Sequence, residues 1–111
     1  MRLDPPIPVL RSFDWALARR FYVDWLGFAV DWEHRTGSDG PRYAQISRGA
    51  VVLHLTEHYG DCSPGAKVFI NTPNMRPGVE VAPWSAKVME VIDPFGNRLC
   101  FNEPLPPTAT G

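Results

Sequence analysis

The sequence predicts an α+β domain in which a β-α-β-β-β unit is followed by a second unit of similar strand order without a helix. A helical apolar period occurs once, near the N-terminus. The remaining apolar segments are short, rich in β-branched residues and separated by Gly and Pro turns, which is typical of strands. The length of 111 residues suits one compact domain and is too short for two ordinary ones.

Composition and charge exclude several classes of protein. Hydrophobic residues make up 44% and charged residues 21%, as in soluble globular proteins. The net charge of −1 offers no basic excess, so we expect neither a nucleic-acid nor a membrane partner. Residues 1–6 do not resemble a signal peptide, and no apolar run is long enough to span a membrane. Cys62 and Cys100 are too few for a disulfide framework, so we expect free thiols and a cytoplasmic location.

The first unit begins with an edge strand and a helix. Residues 7–11 are short, apolar and contain Pro8, which favours the edge of a sheet. We expect Asp14 to cap the N-terminus of a helix, and Gly27 to end it in a left-handed conformation. Between them an apolar stripe with helical spacing contains Leu17, Ala18, Phe21, Tyr22, Trp25 and Leu26.

Three strands complete this unit. Residues 28–35 alternate with period two, which predicts that Phe28, Val30, Trp32 and His34 share one face. A turn cluster over residues 36–41 precedes a return strand over 42–47. After a tight turn, residues 50–56 form the most strongly β-forming stretch of the chain.

The second unit resumes after a polar loop over residues 58–65. Strands are predicted over residues 66–71, 86–92 and 98–102, with a turn at 93–97 that Asp93 caps. Residues 72–83 contain Pro73, Pro77, Gly78 and Pro83 and show no helical period. The Pro- and Thr-rich residues 104–111 are predicted to be a flexible tail.

Three segments, residues 7–14, 21–28 and 93–99, resemble the glyoxalase / bleomycin-resistance / extradiol-dioxygenase superfamily. Residues 47–58 are similar to its bleomycin-resistance-type branch. The resemblance implies a vicinal oxygen chelate fold, in which paired βαβββ modules form a curved mixed sheet. It implies one domain over residues 1–103, with module one at about 5–58 and a shortened module two at about 65–103. The second module lacks the family's helix, because residues 72–75 are too few for it.

The resemblance also disfavours a metal centre. The family's metal-ligand positions correspond to Ile7, His54, approximately Lys67 and Cys100, of which only His54 and Cys100 can bind a metal. We therefore predict neither a metal nor another cofactor. His54 and His58 also fit the H-x-x-E-H pattern of zinc peptidases, which requires a helix. In a strand, two residues four positions apart are separated by about 13 Å.

Candidate ligand-binding residues share the face that carries His54. Strand alternation places Leu53 and Leu55 toward the helix and His54 on the opposite face, which the resemblance identifies as the concave, ligand-binding one. Aromatic side chains with a few polar groups are typical of small-molecule pockets. The alternative is that the aromatic residues belong to the core and the polar ones to a solvated edge. The predicted ligand-binding set is Trp32, His34, Tyr43, Gln45, His54, Glu90 and Cys100.

The leading functional hypothesis is metal-independent, non-catalytic binding of a small aromatic or glycopeptide-like molecule, as in bleomycin-type antibiotic sequestration. The net charge of −1, however, gives little steering toward a cationic drug. Two alternatives stay open: a metal-dependent lyase or isomerase of the glyoxalase type, and a truncated scaffold that acts mainly through self-association.

A homodimer is also expected. Without its helix, the second module would expose apolar strand residues, and a partner chain could cover them or exchange modules. The residues concerned are Val68, Ile70, Val88, Met89, Val91 and Leu99.

Overall fold

The computed structural model describes residues 1–35, 37–72, 80–82 and 86–104. Module one forms a four-stranded mixed sheet, sheet A, with the spatial order β1-β4-β3-β2. The edge strand β1 runs parallel to β4, and the other neighbours are antiparallel. The strands are β1 (Val9–Arg11), β2 (Ala29–Arg35), β3 (Arg42–Arg48) and β4 (Val51–Thr56).

Module two repeats this arrangement as sheet B, with the spatial order β5-β8-β7-β6 and a parallel β5–β8 pair. The strands are β5 (Lys67–Asn71), β6 (Glu80–Ala82), β7 (Ala86–Ile92) and β8 (Arg98–Pro104). Strand β6 was not predicted, because the prolines around it obscure its pattern. The described residues of this module contain no helix. Most of the segment that would hold the helix, and residues 105–111 of the predicted tail, lie outside the described residues.

The predicted helix is confirmed at both ends. It consists of α1 (Trp15–Ala18) and a π-helical continuation, Arg19–Trp25, in which the Leu26 amide donates to the Phe21 carbonyl at 3.0 Å. Asp14 Oδ1 accepts from the Leu17 amide at 3.2 Å. Gly27 follows with φ +80°, the left-handed conformation that ends helices.

The buried side of this helix is narrower than predicted. Ala18, Tyr22 and Leu26 are buried, whereas Trp25 is 57% exposed. The wider winding of the π-helical part changes which side chains face the sheet. None of the helices in the described residues is long and apolar enough to cross a membrane.

The prediction that Val30 and Trp32 share a face is wrong. Val30 pairs with Ile46 and Trp32 with Gln45, and the extra residue Asp31 forms a β-bulge between them. Val30 therefore lies on the side that packs against the core, while Trp32 lies on the opposite side.

One hydrophobic core joins the helix to both sheets. Ile70 and Leu99 of sheet B are buried in it, and Val68 and Val91 pack against it. The apolar face that we expected to be bare is therefore largely covered within the chain. The buried cluster contains Leu10, Ala18, Tyr22, Leu26, Phe28, Ile46, Leu53, Leu55, Ile70, Phe95 and Leu99.

Buried polar contacts join the two modules next to this core. Asp93 Oδ1 accepts from the amides of Phe95 and Asn97, which confirms its predicted role as the cap of the turn. Its Oδ2 accepts from the Tyr22 hydroxyl of module one at 2.5 Å and from Asn97 Nδ2 at 2.8 Å. Asn97 Nδ2 also donates to the Arg11 carbonyl at 2.8 Å.

Candidate functional site

An aromatic cluster lies on the face of sheet A that points away from the helix. Trp32, Tyr43 and His54 come from three adjacent strands, and we call them the aromatic face. The rings of Trp32 and Tyr43 are stacked, with an interplanar angle of 8° and centroids 5.9 Å apart. The His54 ring meets both edge-on, at 5.4 Å from Trp32 and 5.1 Å from Tyr43.

A chain of hydrogen bonds fixes these rings. His54 Nδ1 lies 2.7 Å from the Tyr43 hydroxyl, and His54 Nε2 lies 3.0 Å from Gln45 Oε1. Because an amide oxygen only accepts, His54 Nε2 carries the proton, so Tyr43 donates to Nδ1 of a neutral ring. Gln45 Nε2 then donates to Asp31 Oδ2 at 3.1 Å, and Ser47 Oγ donates to Asp31 Oδ1 at 2.9 Å.

Electrostatics favour the neutral forms of both titrating rings. Burial lowers the pKa of His54. Burial, and to a lesser extent the charges of Asp61 and Cys62, raises the pKa of the Tyr43 hydroxyl. At neutral pH the aromatic face is therefore uncharged. Both imidazole nitrogens of His54 have hydrogen-bond partners within the protein. Such a histidine is a positioning and contact group, with no nitrogen left over to act as a base.

The structure brings four predicted residues, Trp32, Tyr43, Gln45 and His54, into direct contact. His34 is exposed on the same face, paired in register with Tyr43. Glu90 and Cys100 are paired in register on adjacent strands of sheet B. Within the described residues, neither makes a hydrogen bond or ring contact with the aromatic face.

Glu90 and Cys100 differ in their surroundings. Glu90 forms ion pairs with Lys67 at 4.0 Å and Arg98 at 3.6 Å. Cys100 is 5% exposed, as expected of a small buried residue. Both cysteines are free thiols.

Sequence reasoning missed Asp31 and Ser47. Strand alternation assigns Asp31 to the side opposite Trp32, but the bulge turns its carboxylate toward Gln45 and Ser47. A bulge leaves no reliable mark in a single sequence, so this contact could not be predicted.

A second feature missed from the sequence is a cavity of about 420 Å³ at the end of β1. Thr56 Oγ1 donates to Asp61 Oδ2 at 2.6 Å and holds the loop that forms one wall of this cavity. The lining residues are Arg11, Phe13, Tyr59, Gly60, Cys62, Ser63 and Pro64.

The described residues do not fit the metal centre of the family. They contain no group of three or more His, Cys, Asp and Glu side chains that could hold a metal ion. Of the positions carried over from the family, Ile7 offers no ligand atom. His54 already has a protein partner on each ring nitrogen.

Comparison with known proteins gives one family. The model of a glyoxalase superfamily protein matches residues 1–76 and 71–106. No curated protein has a significantly similar sequence.

Solved structures with the same fold include antibiotic-binding proteins. A bleomycin-binding protein complexed with bleomycin is 18% identical with a TM-score of 0.67, over 93% of this chain and 100% of the other. An antibiotic binding protein from Streptomyces sp. CB03234 is 21% identical with a TM-score of 0.67, over 95% of this chain and 100% of the other. A bleomycin resistance determinant encoded on transposon Tn5 is 16% identical with a TM-score of 0.66, over 92% of this chain and 98% of the other.

Proposed function

The chain belongs to the glyoxalase superfamily, and from this premise we propose that it binds a small aromatic molecule on the aromatic face without transforming it. The observation that carries the proposal is the exposed stack of Trp32 on Tyr43. Trp32 is 44% exposed, although a tryptophan is usually buried. A planar ligand placed on these rings would remove their apolar surface from water.

The hydrogen-bond chain supports a preformed binding surface. It connects Tyr43, His54, Gln45, Asp31 and Ser47 and holds the rings in one arrangement before a ligand arrives. A rigid surface loses little side-chain entropy on binding. The bleomycin-binding protein and the antibiotic binding protein that share this fold support the same class of function.

Non-catalytic sequestration is favoured over chemistry at this site. General acid–base catalysis needs a group that is free to exchange a proton with the ligand. His54 uses both nitrogens within the protein. Cys62 lines the neighbouring cavity, but burial raises the pKa of its thiol, so the reactive thiolate is disfavoured. We also propose that binding is metal-independent, because the surroundings of His54 supply no metal-binding set in the described residues.

We further propose that the protein is a homodimer in the cytoplasm. The aromatic face is open in one chain, and a second copy would close it into a cavity. One face of sheet B provides apolar surface for such a contact, because it carries Phe69, which is 56% exposed, and Ile92, which is 57% exposed. The free thiols Cys62 and Cys100 suit a reducing compartment.

Calorimetric titration with bleomycin tests the binding site. We expect binding that weakens about tenfold or more in Trp32→Ala and in His54→Ala, as for a buried aromatic contact. Trp25→Ala is the matched control, because Trp25 is also exposed but lies on the helix, away from the aromatic face. Equal affinity in all three variants would place the ligand elsewhere. If bleomycin does not bind, the same variants can be compared with planar aromatic compounds.

A further inference from the structure

Arg11 is buried without a carboxylate partner. Arg11 is only 8% exposed, and its Nη1 atom has no hydrogen-bond partner. No carboxylate of the described residues forms an ion pair with it. A buried guanidinium without an anion costs free energy, so this arrangement calls for a compensating group.

Two aromatic rings compensate Arg11 in part. The centre of the guanidinium lies 5.1 Å from the Phe13 ring centroid and 5.9 Å from that of Tyr59. Rings interact with the charge but accept hydrogen bonds poorly, so the donors in the guanidinium plane are still available. Arg11 also lines the cavity of about 420 Å³, which has room for a small ligand group.

Strand register relates this cavity to the aromatic face, although the two share no lining residue. Arg11 pairs in register with Thr56, and Thr56 pairs with Tyr43, so the three side chains lie on the same face of sheet A. With strands about 4.8 Å apart, the Cα atoms of Arg11 and Tyr43 are separated by about 10 Å. One small molecule can therefore contact both the guanidinium and the stacked rings.

We propose that Arg11 is the anchor for a carboxylate of the bound molecule, and that the ligand is therefore an aromatic acid. The inference rests on the proposed function and specifies its ligand class. The planar guanidinium matches a carboxylate through two parallel hydrogen bonds. Tyr59 covers the guanidinium but is 92% exposed, and its ring can move aside to admit the ligand.

A matched acid and amide test this anchor. We would titrate ¹⁵N-labelled protein with 4-phenylbutyrate and with 4-phenylbutyramide and follow the Arg11 Nε–Hε resonance and the amides of residues 59–63. The acid is expected to shift these signals saturably and to bind about tenfold or more tightly than the amide. Equal affinities, or an Arg11 resonance that does not move, would overturn the anchor. So would the absence of binding by both compounds.

Arg11→Met removes the charge but keeps an unbranched side chain. It should abolish the preference for the acid, whereas Arg20→Met, the same change on the exposed side of the helix, should retain it. Retained preference in Arg11→Met would overturn the anchor. If Arg11→Met does not fold, two measurements replace it: the preference of Arg11→Lys for the acid over the amide, and the shift of the Arg11 Nε–Hε resonance in the wild type.

Trp32→Ala separates this inference from the proposed function. If acid and amide bind equally and both lose affinity in Trp32→Ala, the binding function holds and the anchor fails. If the acid binds normally in Trp32→Ala but not in Arg11→Met, the anchor holds and the aromatic face is not the site.

Discussion

The Tyr22 hydroxyl donates a 2.5 Å hydrogen bond to Asp93 Oδ2, joining residues 71 positions apart. Tyr22 belongs to the helix of module one and Asp93 to the last turn of module two. Both are buried, and burial with the neighbouring carboxylate raises the pKa of the Tyr22 hydroxyl, so the hydroxyl keeps its proton as donor. This hydrogen bond connects the helix of module one to module two at the hydrophobic core.

Tyr22→Phe should therefore destabilise the protein by about 1–3 kcal/mol, because the buried Asp93 Oδ2 loses one of its two donors and keeps only Asn97 Nδ2. Urea unfolding followed by circular dichroism measures this change. Tyr59→Phe is the control, since Tyr59 is 92% exposed and its hydroxyl has no hydrogen bond in the described part of the chain. A Tyr22→Phe midpoint equal to that of Tyr59→Phe would show that the bond contributes nothing.

Much of the fold follows from local signals in the sequence. The ends of the helix are set by Asp14 and Gly27, whose preferences act within a few residues. Strands β3, β4 and β7 lie within one or two residues of their predicted bounds, because their alternating or β-branched patterns are unambiguous. The family match over residues 1–76 and 71–106 confirms the predicted superfamily.

The site was only partly predictable, because its remaining features depend on contacts between distant strands. Strand alternation correctly placed His54 opposite Leu53, and on the same face as Gln45 and Tyr43. It placed Asp31 on the wrong side because a single extra residue in β2 reverses the pattern. Arg11 was assigned only to an edge strand, since nothing in its neighbours reveals that the loop over residues 59–64 covers it.

Stability should decrease on mild acidification through His54. Burial lowers its pKa in the folded state, so the unfolded chain binds more protons below the ordinary histidine value of about 6.5. The resulting loss of stability begins as the pH falls below that value and is complete below the folded-state pKa. Urea unfolding between about pH 7 and 5 should show the loss in the wild type.

His54→Gln provides the comparison, because its side chain is polar but takes up no proton in this pH range. The loss of stability between pH 7 and 5 should be smaller in His54→Gln than in the wild type. An equal loss of stability in both proteins would show that groups other than His54 cause the pH dependence.

Purified protein should hold no stoichiometric zinc, nickel, manganese or iron. A stable site needs several converging ligands, and His54 is held by Tyr43 and Gln45 instead. Elemental analysis of protein prepared without chelator checks this, together with thermal melts before and after EDTA. One metal per chain, lost in His54→Ala, would favour the glyoxalase-type lyase or isomerase.

Association should be measured by sedimentation equilibrium at low micromolar concentration. We expect a species of twice the 12.5 kDa chain mass, because an exposed apolar surface is closed most simply by a twofold contact. Phe69→Ser should weaken the dimer, since Phe69 is 56% exposed on sheet B and contributes apolar area to the contact. Trp25→Ser, which removes an equally exposed aromatic side chain from the helix, should leave it unchanged. A single 12.5 kDa species in the wild type would rule out the dimer, and the aromatic face would then have to bind its ligand as an open surface.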